Sequence, residues 1–185
     1  MHLILVRIMM VIRVKEKLPV FIQHHPYYKS LNEQILKDSI EYNWQETLEL
    51  RAGGSSNVKA QQTVEYKLRS KSIDLIYEWV LSILQCAHSY RGWSYKIDSS
   101  WMARYNRGDY TQQHDHMPMF AAFVYFIKCP RGSSPLVFPT SGKRIKAEEG
   151  KVVIFPGYMQ HEVPKNRCDD RIVLSANIAP IFDED

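Results

Sequence analysis

Three histidines, and the turns that stand around them, constrain this chain more than any other feature. His114 and His116 lie two residues apart in the stretch Tyr110-Thr-Gln-Gln-His114-Asp115-His116-Met-Pro118, directly ahead of an apolar run from Met119 to Ile127. On a β-strand, residues i and i+2 share a face, so this spacing predicts two imidazoles aimed at one point with Asp115 turned away. A third histidine, His161, follows a Phe155-Pro156-Gly157 turn. Three neutral imidazoles can hold one divalent transition metal. The remainder of the chain reads as the frame that brings them together.

That frame fits one domain spanning residues 1–185, long enough to bury a real core. Hydrophobic residues make up 45%, which places the chain among globular proteins. Its formal charge of +4 is mild, and its Lys and Arg residues are scattered, so nothing favours a nucleic-acid partner. The apolar opening, Met1 to Val14, is broken by Arg7 and Arg13 and is too short to span a bilayer. No small-residue cleavage site follows it, which argues against a secretory leader. Cys86, Cys129 and Cys168 are odd in number and contain no CxxC pair. A reducing, cytoplasmic setting is expected, with each cysteine a small buried hydrophobe.

The elements read in a simple order. Val11 to Val14 and Val20 to Ile22 suggest opening strands. Ser30-Leu-Asn-Glu33 has the form of a capping box, and Leu31, Ile35, Leu36 and Ile40 continue at helical spacing to about Tyr42. Arg51-Ala-Gly-Gly-Ser-Ser-Asn57 is a flexible connector by composition, or a lid over a pocket. Ser72 to Ser89 predicts a second helix, apolar over most of its surface and therefore largely buried. His88 near its end suits the helix dipole better than a metal. From Trp93 onward, short strands alternate with turns: 95–97, 101–106, 114–116, 120–128, 136–138, 144–147, 151–155, 161–163 and 171–178. Helices first and strands later predict an α+β arrangement, an antiparallel sandwich or barrel with helices against one face.

The pattern resembles the 2-oxoglutarate and Fe(II)-dependent oxygenases, in particular a bacterial and phage group with an H-x-H first motif. The segments that carry the resemblance are Trp101…Tyr105…Gly108-Asp-Tyr110…His114-Asp-His116-Met-Pro118, then Phe123-Val-Tyr-Phe-Ile127, Gly150…Phe155-Pro-Gly157…His161-Glu-Val163, and Arg171…Ser175-Ala-Asn177. It covers roughly residues 101–178. It implies a double-stranded β-helix (jelly roll, cupin-like) with the N-terminal helices packed on one sheet. It also implies an Fe(II)/2-oxoglutarate dioxygenase in the cytoplasm of a bacterial or phage-infected cell.

Carried over residue by residue, the resemblance makes His114, His116 and His161 the metal ligands and the catalytic centre. The family's usual carboxylate is replaced by His116, and a bulged strand would bring in Asp115 instead. Such an all-histidine site is open to zinc or nickel as well as iron. Arg171 would pair with the distal carboxylate of 2-oxoglutarate. Ser175, Tyr105 and Asn177 would complete the cosubstrate pocket, and Trp101, Phe123 and Tyr125 would wall it. Relatives often place a second tyrosine where this chain has Phe126. Dioxygen is the co-reactant, ascorbate a reductant for the iron, and a protein or peptide side chain the substrate that family analogy favours. No membrane or nucleic-acid partner is implied.

Two other readings use the same residues. A cupin also carries HxH and a later histidine, but normally adds a glutamate soon after, where this chain has Met117-Pro-Met-Phe-Ala-Ala122. A non-enzymatic metal-binding β-sandwich would close its metal with a fourth protein ligand.

Overall fold

The computed structural model describes residues 19–47, 57–87 and 92–182. Within them the chain forms two β-sheets and two α-helices. The strands are β1 (Phe21–His24), β2 (Trp44–Glu46), β3 (Val58–Lys59), β4 (Gln61–Thr63), β5 (Ser94–Tyr105), β6 (Tyr110–His114), β7 (Ala121–Lys128), β8 (Leu136–Phe138), β9 (Lys143–Ile145), β10 (Lys151–Pro156), β11 (His161–Val163) and β12 (Arg171–Ile181). The helices are α1 (Tyr28–Asp38) and α2 (Lys71–Cys86). One sheet has seven strands in the order β1-β10-β7-β12-β5-β4-β2, the other five in the order β3-β6-β11-β8-β9. Every pairing is antiparallel.

The centre of the larger sheet is buried on both faces, which explains why β7 reads as unbroken apolar sequence rather than as an alternation. Ala122, Val124 and Phe126 point to the other sheet, where they join Leu136, Phe138, Val153, Phe155 and Val163 in the intersheet core. Ala121, Phe123, Tyr125 and Ile127 point the other way and share a second core with Leu31 and Ile35 of α1 and with Ile73, Ile76, Val80 and Leu84 of α2. Asn32 ties α1 to β7: its amide donates to the Ile127 carbonyl (2.7 Å) and its oxygen accepts from the Tyr125 hydroxyl (2.7 Å).

Several local expectations change. Helix α1 starts at Tyr28, so Ser30 lies inside it and donates to the Tyr27 carbonyl instead of capping. A short 3-10 turn at Ser39–Glu41 replaces its last turn and leaves Ile40 79% exposed. Helix α2 begins one residue early, because the Ser70 hydroxyl caps the Ile73 amide. It buries one face only, and Leu75 is exposed. The segments expected as separate strands at 95–97 and 101–106 form one strand, β5, because β12 pairs along its whole length. Strands β2, β3 and β4 are too short and polar to show a pattern. Cys168 is buried, Cys129 half-buried and Cys86 exposed, so the expected burial fails for Cys86, at the last position of α2. The strand expected at Val11 to Val14, most of the 51–57 connector and His88 lie outside the described residues. No helix among the described residues is long and apolar enough to cross a membrane.

Replacing Asn32 with Leu would leave the Ile127 carbonyl and the Tyr125 hydroxyl buried without partners. The expected loss is about 3 kcal/mol. Urea unfolding should show a lower midpoint with an unchanged slope.

Candidate metal and cosubstrate site

Strand pairing supplies two of the three histidines. His114 ends β6 and His161 begins β11, and they are direct cross-strand partners. Their rings therefore meet, with centroids 4.2 Å apart. His116 arrives differently. Strand β6 stops at His114, so His116 is not on the strand and strand parity does not place it. A loop does. The His116 amide donates to the Gly157 carbonyl (2.7 Å), and the Gly157 amide donates to the Phe120 carbonyl (3.0 Å). This zipper swings the ring back over the pair, 4.9 Å from His161 and nearly parallel to it. One ligand atom from each of the three histidines lies within 4.8 Å of the others, and among the described residues no fourth His, Cys, Asp or Glu joins them. Asp115 faces elsewhere: its carboxylate accepts from the Met117 amide (3.1 Å) and from the Gln160 side chain.

Two backbone carbonyls orient the rings. His114 Nδ1 donates to the Gln112 carbonyl (2.9 Å) and His161 Nδ1 to the Met159 carbonyl (3.0 Å). In the neutral form each then presents an unprotonated Nε2, the atom a metal needs. Burial holds all three in that form. Desolvation pulls His161 down to about 3 and His116 to about 4, and it lowers His114 as well. The neighbouring imidazoles push His161 and His116 the same way.

Arg171 opens β12 and is fully buried, at 0% exposure. Its Nε donates to the Ser134 carbonyl (3.1 Å), while its other two nitrogens are buried without partners. The guanidinium lies over the Tyr105 ring at 4.6 Å and near Phe126 at 5.4 Å. Burial lowers its pKa. The surface pairing with Asp169 or Asp170 does not form. Asp170 takes Arg104 and Lys128, and Asp169 accepts from the Arg107 amide. Arg171 lines the same cavity as the three histidines, together with Trp101, Tyr105 and Ser175.

Of the residues expected from sequence, His114, His116, His161, Arg171, Tyr105, Ser175 and Trp101 come together around this cavity. Asn177 follows Ser175 on the same face of β12 and lies beside His116. Phe123 and Tyr125 do not join them, because strand alternation turns them to the helix side and gives the cavity Val124 instead. Thr111 and Asn166 were not anticipated. Thr111 shares a hydrogen bond of 2.8 Å with the Tyr105 hydroxyl. Asn166, 2% exposed, takes the Ser134 amide on its oxygen (2.9 Å) and so holds the loop that anchors Arg171. Its position after a turn gave no signal of this.

No family model matches the chain. No curated protein matches it in sequence either. Solved structures do match in fold. A collagen prolyl hydroxylase of Paramecium bursaria Chlorella virus-1, in complex with 2-oxoglutarate, superposes with a TM-score of 0.66 at 16% identity, over 86% of this chain and 94% of that one. A prolyl-4-hydroxylase of Pseudomonas putida gives 0.65 at 15% identity, over 88% and 92%. The chain has the fold of the 2-oxoglutarate and iron(II) oxygenases. HygX of Streptomyces hygroscopicus, with nickel and 2-oxoglutarate bound, extends the set with 0.63 at 7% identity, over 89% and 84%. At these identities the shared property is the oxygenase fold, and the site rests on this chain's own residues.

Gly157 makes the zipper possible, because a Cβ there would stand 1.9 Å from the Met119 carbonyl oxygen. Gly157→Ala should cost about 2 kcal/mol or more. It should also weaken Zn(II) binding, since the loop carrying His116 must shift. Chelator competition and urea unfolding measure the two effects.

Proposed function

We propose that this chain is an Fe(II)- and 2-oxoglutarate-dependent dioxygenase that hydroxylates a protein or peptide side chain. The observation that carries the reading is one cavity with two unfinished groups. Three imidazoles converge on one point. A buried guanidinium with two unbonded nitrogens shares their walls. An ion pair closed within the protein would leave neither, and a structural metal centre would add a fourth protein ligand.

The residues present fit both groups. The Nε2 atoms of His114 and His161 are directed by their carbonyl partners to receive a cation. His116 would be the third ligand, in place of the usual carboxylate. A neutral set leaves more net positive charge at the metal, which favours an anionic cosubstrate. Arg171 presents free N–H donors in the planar fork that suits a carboxylate. Tyr105 supports the guanidinium face, and Ser175 offers a hydroxyl on the same wall. Phe126 stands near Arg171 without a hydroxyl, so this pocket relies more heavily on the guanidinium. When bound, iron and 2-oxoglutarate would supply the oxidative chemistry: the keto acid would lose its C1 carboxylate as carbon dioxide and become succinate, taking up one oxygen atom of dioxygen, while the other would convert a substrate C–H to C–OH. The chain's own contribution is to orient both groups, supply charge and exclude water through aromatic walls such as Trp101.

The finer architecture in this reading is a double-stranded β-helix (jelly roll), one domain, with the helices on one sheet. The peptide-like substrate draws support from a prolyl hydroxylase of Trichoplax adhaerens with the same fold (TM-score 0.65 at 13% identity, over 85% of this chain and 82% of that one), solved with a peptide fragment of hypoxia inducible factor. The cysteines, which form no disulfide among the described residues, suit a cytoplasmic setting.

Anaerobic addition of Fe(II) and 2-oxoglutarate should produce the visible charge-transfer band of the chelate, with succinate released in air. His161→Ala should abolish both, and an absent wild-type band would sink the proposal. His116→Asp should retain the band. Arg171→Met should leave ligand-free stability within about 1 kcal/mol of the wild type, because it removes a poorly compensated buried charge. The same variant should lose the thermal stabilisation that 2-oxoglutarate confers on the metal-loaded protein.

A further inference from the structure

Each of the three histidines follows directly on a polar residue: Gln113 before His114, Asp115 before His116 and Gln160 before His161. These three side chains meet. The Gln160 amide nitrogen donates to one oxygen of the Asp115 carboxylate. The Gln160 amide oxygen accepts from the Gln113 side chain (3.3 Å). The other Asp115 oxygen accepts from the Met117 amide (3.1 Å). Gln160 is thus the hub that joins the other two.

The histidines themselves rest on unequal supports. His114 and His161 are fixed by strand pairing. His116 hangs on a loop, tied to the facing loop by the bond from its amide to the Gly157 carbonyl (2.7 Å). One bond fixes where a loop sits but leaves it free to turn. The bond from Gln160 to Asp115 attaches the same two loops at a second point, and two points fix an orientation. It also occupies the carboxylate, so that both Asp115 oxygens have N–H partners and the group turns away from the imidazoles. A free carboxylate there would compete with an imidazole for a dication. Gln113 is exposed, and Asp115 and Gln160 are half-buried. Bonds so near solvent add little to folding, and their effect falls on geometry.

We infer that Gln160 is a positioning residue whose side chain, bridging Asp115 and Gln113, holds the three histidine-bearing segments in register for a metal. The inference rests on the metal-centre reading for its purpose. The bridge itself is a property of the metal-free protein and can be read there.

The first measurement is hydrogen exchange of glutamine side-chain amides in the 15N-labelled, ligand-free chain, with the Gln160 signal identified by its loss in Gln160→Met. Slowed exchange is expected in the wild type and fast exchange in Asp115→Ala. The second uses Zn(II) alone as the probe, by chelator competition. Gln160→Met should bind it about 10-fold more weakly, with little change in the urea midpoint of the ligand-free chain. The exchange of roles in the double variant Asp115→Asn/Gln160→Glu keeps the net charge and reverses donor and acceptor, so it should restore the affinity. A Gln160 amide that exchanges like a free side chain in the wild type overturns the inference. So does Zn(II) binding in Gln160→Met as tight as in the wild type, or a double variant that binds no better than Gln160→Met. Slowed exchange with no Zn(II) uptake by the wild type leaves the bridge standing and sinks the metal centre instead.

Discussion

The Arg171 guanidinium is withdrawn from water, with one nitrogen on the Ser134 carbonyl and two without partners. A charge in that position is costly unless something compensates it, and single buried hydrogen bonds do not suffice. What surrounds it is organised accordingly. Tyr105 and Phe126 present ring faces to the cation. Asn166 braces the Ser134 loop, and it also donates to the Tyr105 carbonyl (3.2 Å) and the Cys168 carbonyl (2.8 Å). The remaining deficit faces the histidine cavity, where an anionic ligand would make it good. An apolar residue at this position would avoid that cost, and in the proposed reading the unbonded donors are what the cosubstrate needs.

Strand β12 connects that charge to the histidine cluster. It is paired on both sides, with β5 along its whole length and with β7 from Ile172 to Ile178. Such a strand has little freedom to shift, so the spacing from Arg171 through Ser175 to Asn177 is rigid. The three histidines stand on the facing sheet and on the loop that Gly157 holds. Neither sheet carries the site alone. The intersheet core of Val124, Phe138, Val153 and Phe155 sets the distance between them.

Much of this was legible in the residues. The HxH spacing, His161 behind its turn and Arg171 at the head of a strand stood out because polar groups interrupt otherwise apolar runs. Strands β7, β10 and β12 were readable for the same reason, being long and hydrophobic. Other features were not. The parity argument for His116 reached the correct neighbourhood by the wrong route, since β6 ends two residues earlier. The resemblance also misplaced Phe123 and Tyr125, and a strand buried on both faces shows no alternation to say which side is which. Thr111 and Asn166 matter only through partners distant in sequence or held in a turn, and no local pattern encodes that.

The amino-acid sequence by itself determined the chemistry available: three imidazoles, one arginine and the apolar strands that would bury them. Those follow from local composition and spacing. Tertiary structure decided which of these groups meet, and which are left incomplete. It paired His114 with His161, excluded Asp115 and left nitrogens of Arg171 and the oxygen of Asn177 unbonded. Those outcomes depend on register between strands and on a close backbone approach at Gly157, which are set by long-range packing and appear nowhere in the local sequence.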